Sequence, residues 1–344
     1  MYFNAHITVT IGDKILQSVH SVSVQNDSKE IGSNCKIVVP LACRISYIAA
    51  PNTFLTDLAK TLFKSGDPVV IKASYDGYPE VNVFNGFVYE FIENTPLTIE
   101  CMDNIFLLNQ TTVNVSYASI SLRDLLNNIL KGTGVSLLEP TIDLKLTNIT
   151  FRLMSPASIL EWFKKEIGLN ISLSNNQLYV NVASNTVNQV FFDTSRNVIK
   201  SALQKPEAVY LKLKIKAWFI QENGKKSSLE VGDTNGELRE VFFYKIPFNE
   251  KEYQRLAGEA LIKYKMMKFS GNIETLLYPE CNLFWKAQYI DHRYPDRTGN
   301  YTIVGMNFTL DKSGFHRHIK MAYLSDIDSQ VNALGVDNIL IPIP

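Results

Sequence analysis

The feature that most constrains the fold of this 344-residue chain is a run of three predicted antiparallel strands in residues 66–110. Apolar Val69, Ile71 and Ala73 alternate with the residues between them, which is the period of a half-buried strand. Asp76-Gly77 then supplies the positive-φ residues that a tight hairpin turn requires. The first strand is therefore expected to end there and to return antiparallel.

The second and third strands continue the pattern. Gly86 lies inside the second strand, where a missing Cβ predicts a bulge or a close approach of another backbone. After a turn at residues 94–96, Leu97, Ile99 and Cys101 again occupy alternate positions. We expect one face of this sheet to pack on a core and the other to meet solvent or a partner.

The remaining sequence extends this design, and the predicted class is α+β, mainly β. Residues 1–112 show strands, a helix over 54–63 capped by Asn52 or Thr53, and the strand trio. Residues 189–328 show strands, a helix capped by Asn249, and three more strands, so that a helix is expected to cover each sheet. The intervening residues 113–188 predict a small α/β module whose helices are capped by Ser121 and Ser155.

Charge and apolar content exclude several classes of protein. Thirty-four Lys plus Arg balance 34 Asp plus Glu, so no net field recruits nucleic acid or an anionic membrane. We expect no stable sequence-specific nucleic-acid binding, and no membrane anchor, because no apolar run approaches the ~20 residues that span a bilayer. The start of the chain lacks a signal segment, which predicts synthesis and assembly in the cytoplasm. The four cysteines lack CxxC spacing and are predicted to be buried free thiols.

No catalytic or cofactor motif stands out, and no cofactor is predicted. The sequence contains no GxSxG, GxxxxGK[ST], GxGxxG or HExxH. His316 and His318 would place two imidazoles on one face of a strand. A zinc site would need a third ligand, such as Asp291 or His292, and strand-surface histidines are the ordinary alternative.

Two sets of residues are candidates for contacts with partners. Alternate lysines of one predicted strand either line a channel or guard an exposed sheet edge; they are Lys212, Lys214 and Lys216. Residues 329–344 form a predicted C-terminal docking segment, in which prolines bar a central strand and fix the backbone for an extended course. Its large apolar side chains are Ile339, Leu340, Ile341 and Ile343.

In its order of elements, the chain resembles the baseplate hub proteins of contractile-tailed phages, a family that includes the late control protein D group. The resemblance lies in GDPVVI, NGFVYEFIENTPLTIECMDNIFLLNQ, SLRDLLNNIL, SPASILEWFKKEIGLNISLSNNQLYV and GNYTIVGMNFTLDKSGFHRHIKMAYL. It covers roughly the whole chain. The chain departs from the family at Asn282-Leu283, where such proteins often have Gly-Asp.

This resemblance implies two tail-tube-like domains of barrel or sandwich type, 1–112 and 189–328, around the 113–188 module. It implies a homotrimeric ring that adapts the hexameric tail tube to a trimeric spike, with the spike as a separate polypeptide and further contacts to other baseplate proteins. It also implies kinship with the hub portion of type VI secretion spike proteins, a place in the virion tail, and no enzymatic activity. The alternative is a tail-associated peptidoglycan hydrolase, or a tail-associated cell-wall-binding protein that uses residues 113–186. Phage, bacteriocin-like device and secretion machine all remain open.

Overall fold

The structure is a computed structural model. It describes residues 4–138, 144–167, 169, 171–174, 176–180, 188–204, 212–221, 223–244, 249–268, 270–312 and 314–323.

The N-terminal segment is almost entirely β-structure. Its strands and helices are β1 Ala5–Ile11, β2 Lys14–Leu16, β3 Ser21–Asp27, β4 Asn34–Val39, β5 Ala42–Tyr47, β6 Ala50–Leu58, α1 Ala59–Leu62, β7 Pro68–Tyr75, β8 Val81–Ile92, β9 Leu97–Met102 and α2 Ile105–Asn109. The strands β7, β8 and β9 pair antiparallel in sequence order, which confirms the predicted trio. Leu97, Ile99 and Cys101 are all buried, as their alternation predicts.

The middle segment mixes short helices and strands. Its elements are β10 Val113–Ser121, α3 Leu122–Leu130, β11 Ser136–Leu137, β12 Lys145–Met154, α4 Pro156–Trp162, the π-helical turn Phe163–Ile167, β13 Ile171–Ser174 and β14 Gln177–Val180. Both predicted caps are confirmed, because Ser121 Oγ accepts the Asp124 N–H and Ser155 Oγ accepts the Ser158 N–H. Pro156 occupies the first helical position, where its missing N–H costs nothing.

The C-terminal segment returns to strands around one long helix. Its elements are β15 Gln189–Asp193, β16 Val198–Ser201, β17 Leu213–Ile220, β18 Lys226–Gly232, β19 Glu237–Tyr244, α5 Glu250–Lys268, β20 Ser270–Thr275, β21 Lys286–Ile290, the 3-10 turn Pro295–Arg297, β22 Gly299–Asp311 and β23 Gly314–Tyr323. The Asn249 side chain accepts the Glu252 N–H at 3.4 Å, so the cap predicted for α5 is present.

The two outer segments meet in one large sheet. Its strand order is β16-β20-β23-β22-β3-β4-β9-β8-β7-β1-β2-β5-β6, and β21 joins β22 to β15 beside this path. The junction is the antiparallel pairing of Gly305–Leu310 in β22 with residues 22–27 of β3. Among the described strands, the path has open ends at β16 and β6. The protein is therefore mainly β, as predicted, and its sheet does not close into a barrel over these strands.

Three clusters of buried apolar side chains form the core. One fills the N-terminal part of the large sheet, and a second lies beneath β15, β21, β22 and β23. The largest cluster combines the middle segment with the separate sheet β18-β17-β19 and with α5. α5 packs on β17 and β18, which confirms that it covers a sheet. The domain boundaries at 112 and 188 remain a prediction.

The helix predicted over residues 54–63 is wrong for most of its length. Residues up to Leu58 form β6, which pairs with β5, and only Ala59–Leu62 are helical. Neither Asn52 nor Thr53 caps this turn, because Leu58 precedes it without a side-chain cap. The helical spacing of Phe54, Leu55 and Leu58 predicted an apolar helix face that packs on the core. These side chains are instead exposed and do not pack on the chain's own core.

Gly86 allows β8 and β9 to approach closely, as its position in the sequence predicts. A Cβ at Gly86 would lie 2.2 Å from the Met102 carbonyl oxygen and 2.7 Å from the Phe84 ring. We expect Gly86→Ala to lower the free energy of unfolding by about 3 kcal/mol, because the β9 main chain must move. Chemical unfolding followed by circular dichroism measures the loss. Asn85→Ala, at an exposed neighbour, is the control, and equal small effects in both variants would contradict the close approach.

Helix α5 and the π-helical turn also bury titratable groups. Burial raises the pKa of Glu259 to about 8, although the Arg255 Nε lies 3.7 Å from its Oε1. Burial also lowers the pKa of Lys263, and it lowers the pKa of Lys164 to about 8. The Lys164 ammonium donates to the Ser28 carbonyl oxygen at 3.4 Å. This part of the core is therefore sensitive to pH.

The raised pKa of Glu259 predicts a specific pH dependence of stability. An acid of this kind contributes stability that is fully present below its unfolded pKa near 4.5 and is lost as the pH rises through about 8. Glu259→Gln stays neutral, so at about 1.4 kcal/mol per pKa unit we expect it to exceed the wild type by about 4 kcal/mol at pH 8 and by much less at pH 5. Urea unfolding at both pH values measures this, with the exposed Glu90→Gln as control. A difference that does not grow with pH would contradict the burial of the carboxyl.

Candidate assembly interface

β6 is the most exposed strand of the large sheet, and one of its two edges is open. β6 pairs with β5 on one side, and on its other side no described strand pairs with it. Residues 51–58 are all exposed, so neither face of β6 is covered by the described part of the chain. Natural proteins protect long edge strands with lysines, prolines or bulges. β6 carries no lysine, and its proline and the register irregularity of its pairing with β5 both lie near its start, away from residues 54–58.

Large apolar side chains cluster on and beside this edge. Those exposed on the β5–β6 hairpin and its flanks are Leu41, Ile48, Phe54, Leu55 and Leu58, with exposed fractions of 44 to 58%. The Arg44 guanidinium lies 4.2 Å from the centre of the Phe54 ring, which orients that ring on the surface. Clustered exposed apolar side chains on an open strand edge indicate a protein contact. We call β6 with these five residues the edge patch.

The outer face of the small sheet holds two of the three predicted lysines. Lys214 and Lys216 alternate on β17 and both approach Glu230 of β18, at 2.5 and 3.9 Å. The Lys214 ammonium lowers the pKa of Glu230 through its hydrogen bond. Lys212 is exposed just before β17 begins. The edge alternative is wrong for β17, because β18 and β19 pair with it on both sides.

The same outer face carries aromatic side chains that sequence reasoning missed. Trp218 of β17 pairs with Phe242 of β19, and Phe242 and Tyr244 are exposed to 48 and 45%. The Lys216 ammonium lies 4.7 Å from the centre of the Trp218 ring. The run of aromatic residues Phe242-Phe243-Tyr244 in β19 was the available signal. This face is a second surface on which another protein can pack.

The predicted histidine pair does not gather a metal site among the described residues. The His316 Nδ1 lies 2.8 Å from the Glu274 carboxylate, and His318 sits opposite Glu274 in the neighbouring strand. The proposed third ligands lie elsewhere, because His292 contacts Asp193 and Asp291 accepts the Arg293 N–H. No cluster of three His, Cys, Asp or Glu fit for a metal ion occurs in the described part of the chain.

A serine, an aspartate and a histidine do meet near the end of β15. Asp193 accepts hydrogen bonds from the Ser195 hydroxyl at 2.6 Å and from the Ser195 N–H at 2.7 Å, and His292 Nε2 lies 3.1 Å away. These contacts lower the pKa of Asp193 to about 2, with the Ser195 hydroxyl as the largest cause. Nucleophilic catalysis needs the imidazole between serine and carboxylate, and here the carboxylate lies between the other two. This arrangement does not activate Ser195.

The remaining predictions are partly tested by the structure. The four cysteines are free and buried, as predicted. No described helix combines the length and apolarity that a membrane crossing requires. The docking residues Ile339, Leu340, Ile341 and Ile343 lie outside the described residues.

Comparison with known proteins identifies the fold. No protein-family model matches the chain, and no curated protein sequence matches it. Among solved structures, the chain shares the fold of phage tail proteins. The tail protein from Neisseria meningitidis MC58 aligns over 94% of this chain and 98% of its own, with a TM-score of 0.63 and 13% identity. The 43 kDa tail protein of prophage MuSo2 from Shewanella oneidensis aligns over 93% and 98%, with a TM-score of 0.61 and 14% identity.

A secretion protein shares the fold as well. The E. coli c3393 protein, a component of the type VI secretion system described as structurally similar to the T4 bacteriophage tail proteins gp27 and gp5, aligns over 93% of this chain and 77% of its own. Its TM-score is 0.55 at 8% identity. The resemblance to hub proteins is therefore confirmed at the level of the fold.

Proposed function

We propose that this chain is a structural hub subunit of a phage tail or a related contractile injection system, in which three copies form a ring between the hexameric tube and the trimeric spike. The observation that carries the proposal is the tail-protein fold over 94% of the chain and 98% of the Neisseria tail protein. The activity is mechanical, since the subunit holds tube and spike in register. The described Ser195 arrangement, with its carboxylate in the middle, offers no support for the hydrolase alternative.

The open ends of the strand path, β6 and β16, support ring formation. β6 and β16 lie at opposite ends of one strand path, so a rotation that sets β6 of one copy beside β16 of the next joins the sheets head to tail. A head-to-tail interface of this kind forms a ring when the rotation closes. The edges are also complementary in charge and apolar content, because β6 presents Asp57 and Leu55 while β16 presents Lys200 and Ile199.

The remaining surfaces are available for the other partners. In this proposal the exposed aromatic face of β17 and β19 contacts further tail or baseplate proteins, and the C-terminal segment 329–344 docks on the spike or on a neighbouring subunit. Whether Lys212, Lys214 and Lys216 face the channel of the ring remains a prediction. Assembly would take place in the host cytoplasm before incorporation into the virion.

Co-purification separates this function from the cell-wall alternative. The experiment produces the affinity-tagged chain together with the tube and spike proteins of the same cluster of genes. We expect it to retain both proteins after washing at about 0.5 M salt, because this concentration screens non-specific charge contacts. We also expect no sedimentation with purified peptidoglycan and no loss of cell-wall turbidity. Binding or clearing of peptidoglycan without retention of tube or spike protein would replace the hub by the alternative.

A further inference from the structure

A buried arginine at the junction of the two sheet halves lacks a full set of partners. Arg317 of β23 is 7% exposed, and its Nε donates to the Thr275 hydroxyl at 2.9 Å. Its Nη2 is buried and has no hydrogen-bond partner among the described residues. Burying a cationic nitrogen without an acceptor is costly, so such a group ordinarily faces a counter-ion or an ordered ligand.

No described group neutralises this guanidinium. The groups whose charge acts on it are Cys281, Tyr75 and Glu280, and none forms an ion pair with it within 4.0 Å. Burial raises the pKa of the Cys281 thiol and of the Tyr75 phenol, so both are neutral at pH 7. Glu280 is exposed. The arginine therefore carries its charge into the interior without a described carboxylate within ion-pair distance.

A cavity of about 110 Å³ opens beside Arg317, and β3, β8, β22 and the loop before β21 form its walls. This volume equals that of about three to four water molecules. Besides Arg317, three asparagine side chains line it, and each can donate two N–H groups; they are Asn26, Asn82 and Asn282. No hydrogen bond from these amides to another described residue occupies their donors. The Ser33 hydroxyl also lines the cavity but already donates to Asp103.

We propose that this cavity is a binding site for a small oxyanion of phosphate or carboxylate type. The Arg317 guanidinium supplies the charge-assisted hydrogen bond, and the asparagine amides supply neutral donors around it. A fixed cation with amide donors around it in a partly enclosed site favours an anion, and the one carboxylate in the lining is that of Glu280. Since Thr275 fixes the guanidinium through Nε, the site exists before the anion arrives.

Glu280 at the wall of the cavity makes the proposal sharply testable. If an anion from solution occupies the site, the Glu280 carboxylate repels it, and Glu280→Gln tightens binding by about threefold to tenfold. If Glu280 instead turns inward as the counter-ion of Arg317, the same variant leaves the arginine unpaired and destabilises the protein. The two readings predict opposite outcomes for one substitution.

The experiment titrates inorganic phosphate, acetate and chloride into the purified full-length chain by calorimetry at constant ionic strength. We expect saturable binding of phosphate or acetate by the wild type, with a rise in melting temperature of roughly 1 to 3 °C at saturating anion. Arg317→Met should weaken binding by at least about tenfold, because one charged donor is lost. The charge-matched control Arg152→Met, at an exposed position, should bind as the wild type does.

Each outcome decides the proposal. Saturable binding that is lost in R317M, retained in R152M and tightened in E280Q supports it. If R317M does not fold, Asn82→Ala, at an exposed position, must weaken phosphate binding relative to the wild type. An anion response that is equal in wild type, R152M and the cavity variants, or destabilisation of E280Q, overturns the proposal in favour of water or Glu280 as the partner of Arg317.

Discussion

Leu256→Asp is expected to prevent folding of the purified chain. Leu256 lies on α5, is 2% exposed, and belongs to the largest core cluster. One turn away, the Tyr253 ring stacks on Phe219 of β17 with centroids 3.7 Å apart, so this face of the helix has no route to water. An aspartate there must bury an unpaired carboxylate or detach the helix, at a cost of several kcal/mol against a total stability of ~5 to 15 kcal/mol.

Circular dichroism and limited proteolysis of the variant measure this effect. Lys251→Asp, at an exposed position in the first turn of α5, is the matched control. It introduces the same side chain where the helix dipole favours an acid, so its stability should stay within about 0.5 kcal/mol of the wild type. A Leu256→Asp protein that melts as the wild type does would show that α5 is peripheral to the fold.

Leu55→Lys is expected to abolish assembly of the proposed ring without unfolding the subunit. In the single chain Leu55 is 44% exposed, so a lysine there should change the free energy of unfolding by less than about 0.5 kcal/mol. At an assembled β6 edge the same lysine forfeits about 2 kcal/mol of apolar burial and adds a charge to desolvate, which weakens association by at least about a hundredfold. Sedimentation across a concentration series measures it, with Tyr89→Lys on β8 as control.

A charge exchange identifies the partner edge. Asp57→Lys in β6 and Lys200→Asp in β16 should each weaken assembly, since each sets like charges at the proposed junction. The double variant should recover assembly, because opposite charges again face each other across the junction, with their positions exchanged. Failure of the double variant to recover, with both single variants impaired, would move the partner of β6 away from β16.

Local sequence signals predicted the elements whose stability is local. Contacts within a few residues of chain determine the helix caps and the apolar stripe of α3. The capping residues are Ser121, Ser155 and Asn249. The alternation in β7 and β9 was equally clear, because one face of each strand packs on a core built by adjacent strands.

The pairing of strands that lie far apart in the chain could not be predicted from the sequence. β20, with the sequence SGNIET, carries one large apolar residue, Ile273, and owes its place to β16 and β23. The pairing of β3 with β22 joins strands at opposite ends of the chain, and only the structure reveals that the two strand groups share one sheet. β6 was mistaken for a helix because Phe54, Leu55 and Leu58 have helical spacing, although all three are exposed on a strand. Nothing in the sequence pointed to the Arg317 site. Only its burial separates Arg317 from the exposed lysines and arginines, and burial is visible only in the structure.

Imaging the purified chain by electron microscopy, together with its mass in solution by sedimentation, tests the central claim most directly. We predict a ring of three subunits with a central channel, formed by the chain alone or on addition of the tube and spike proteins. A monomer that persists at high concentration with both proteins present would contradict the hub assignment.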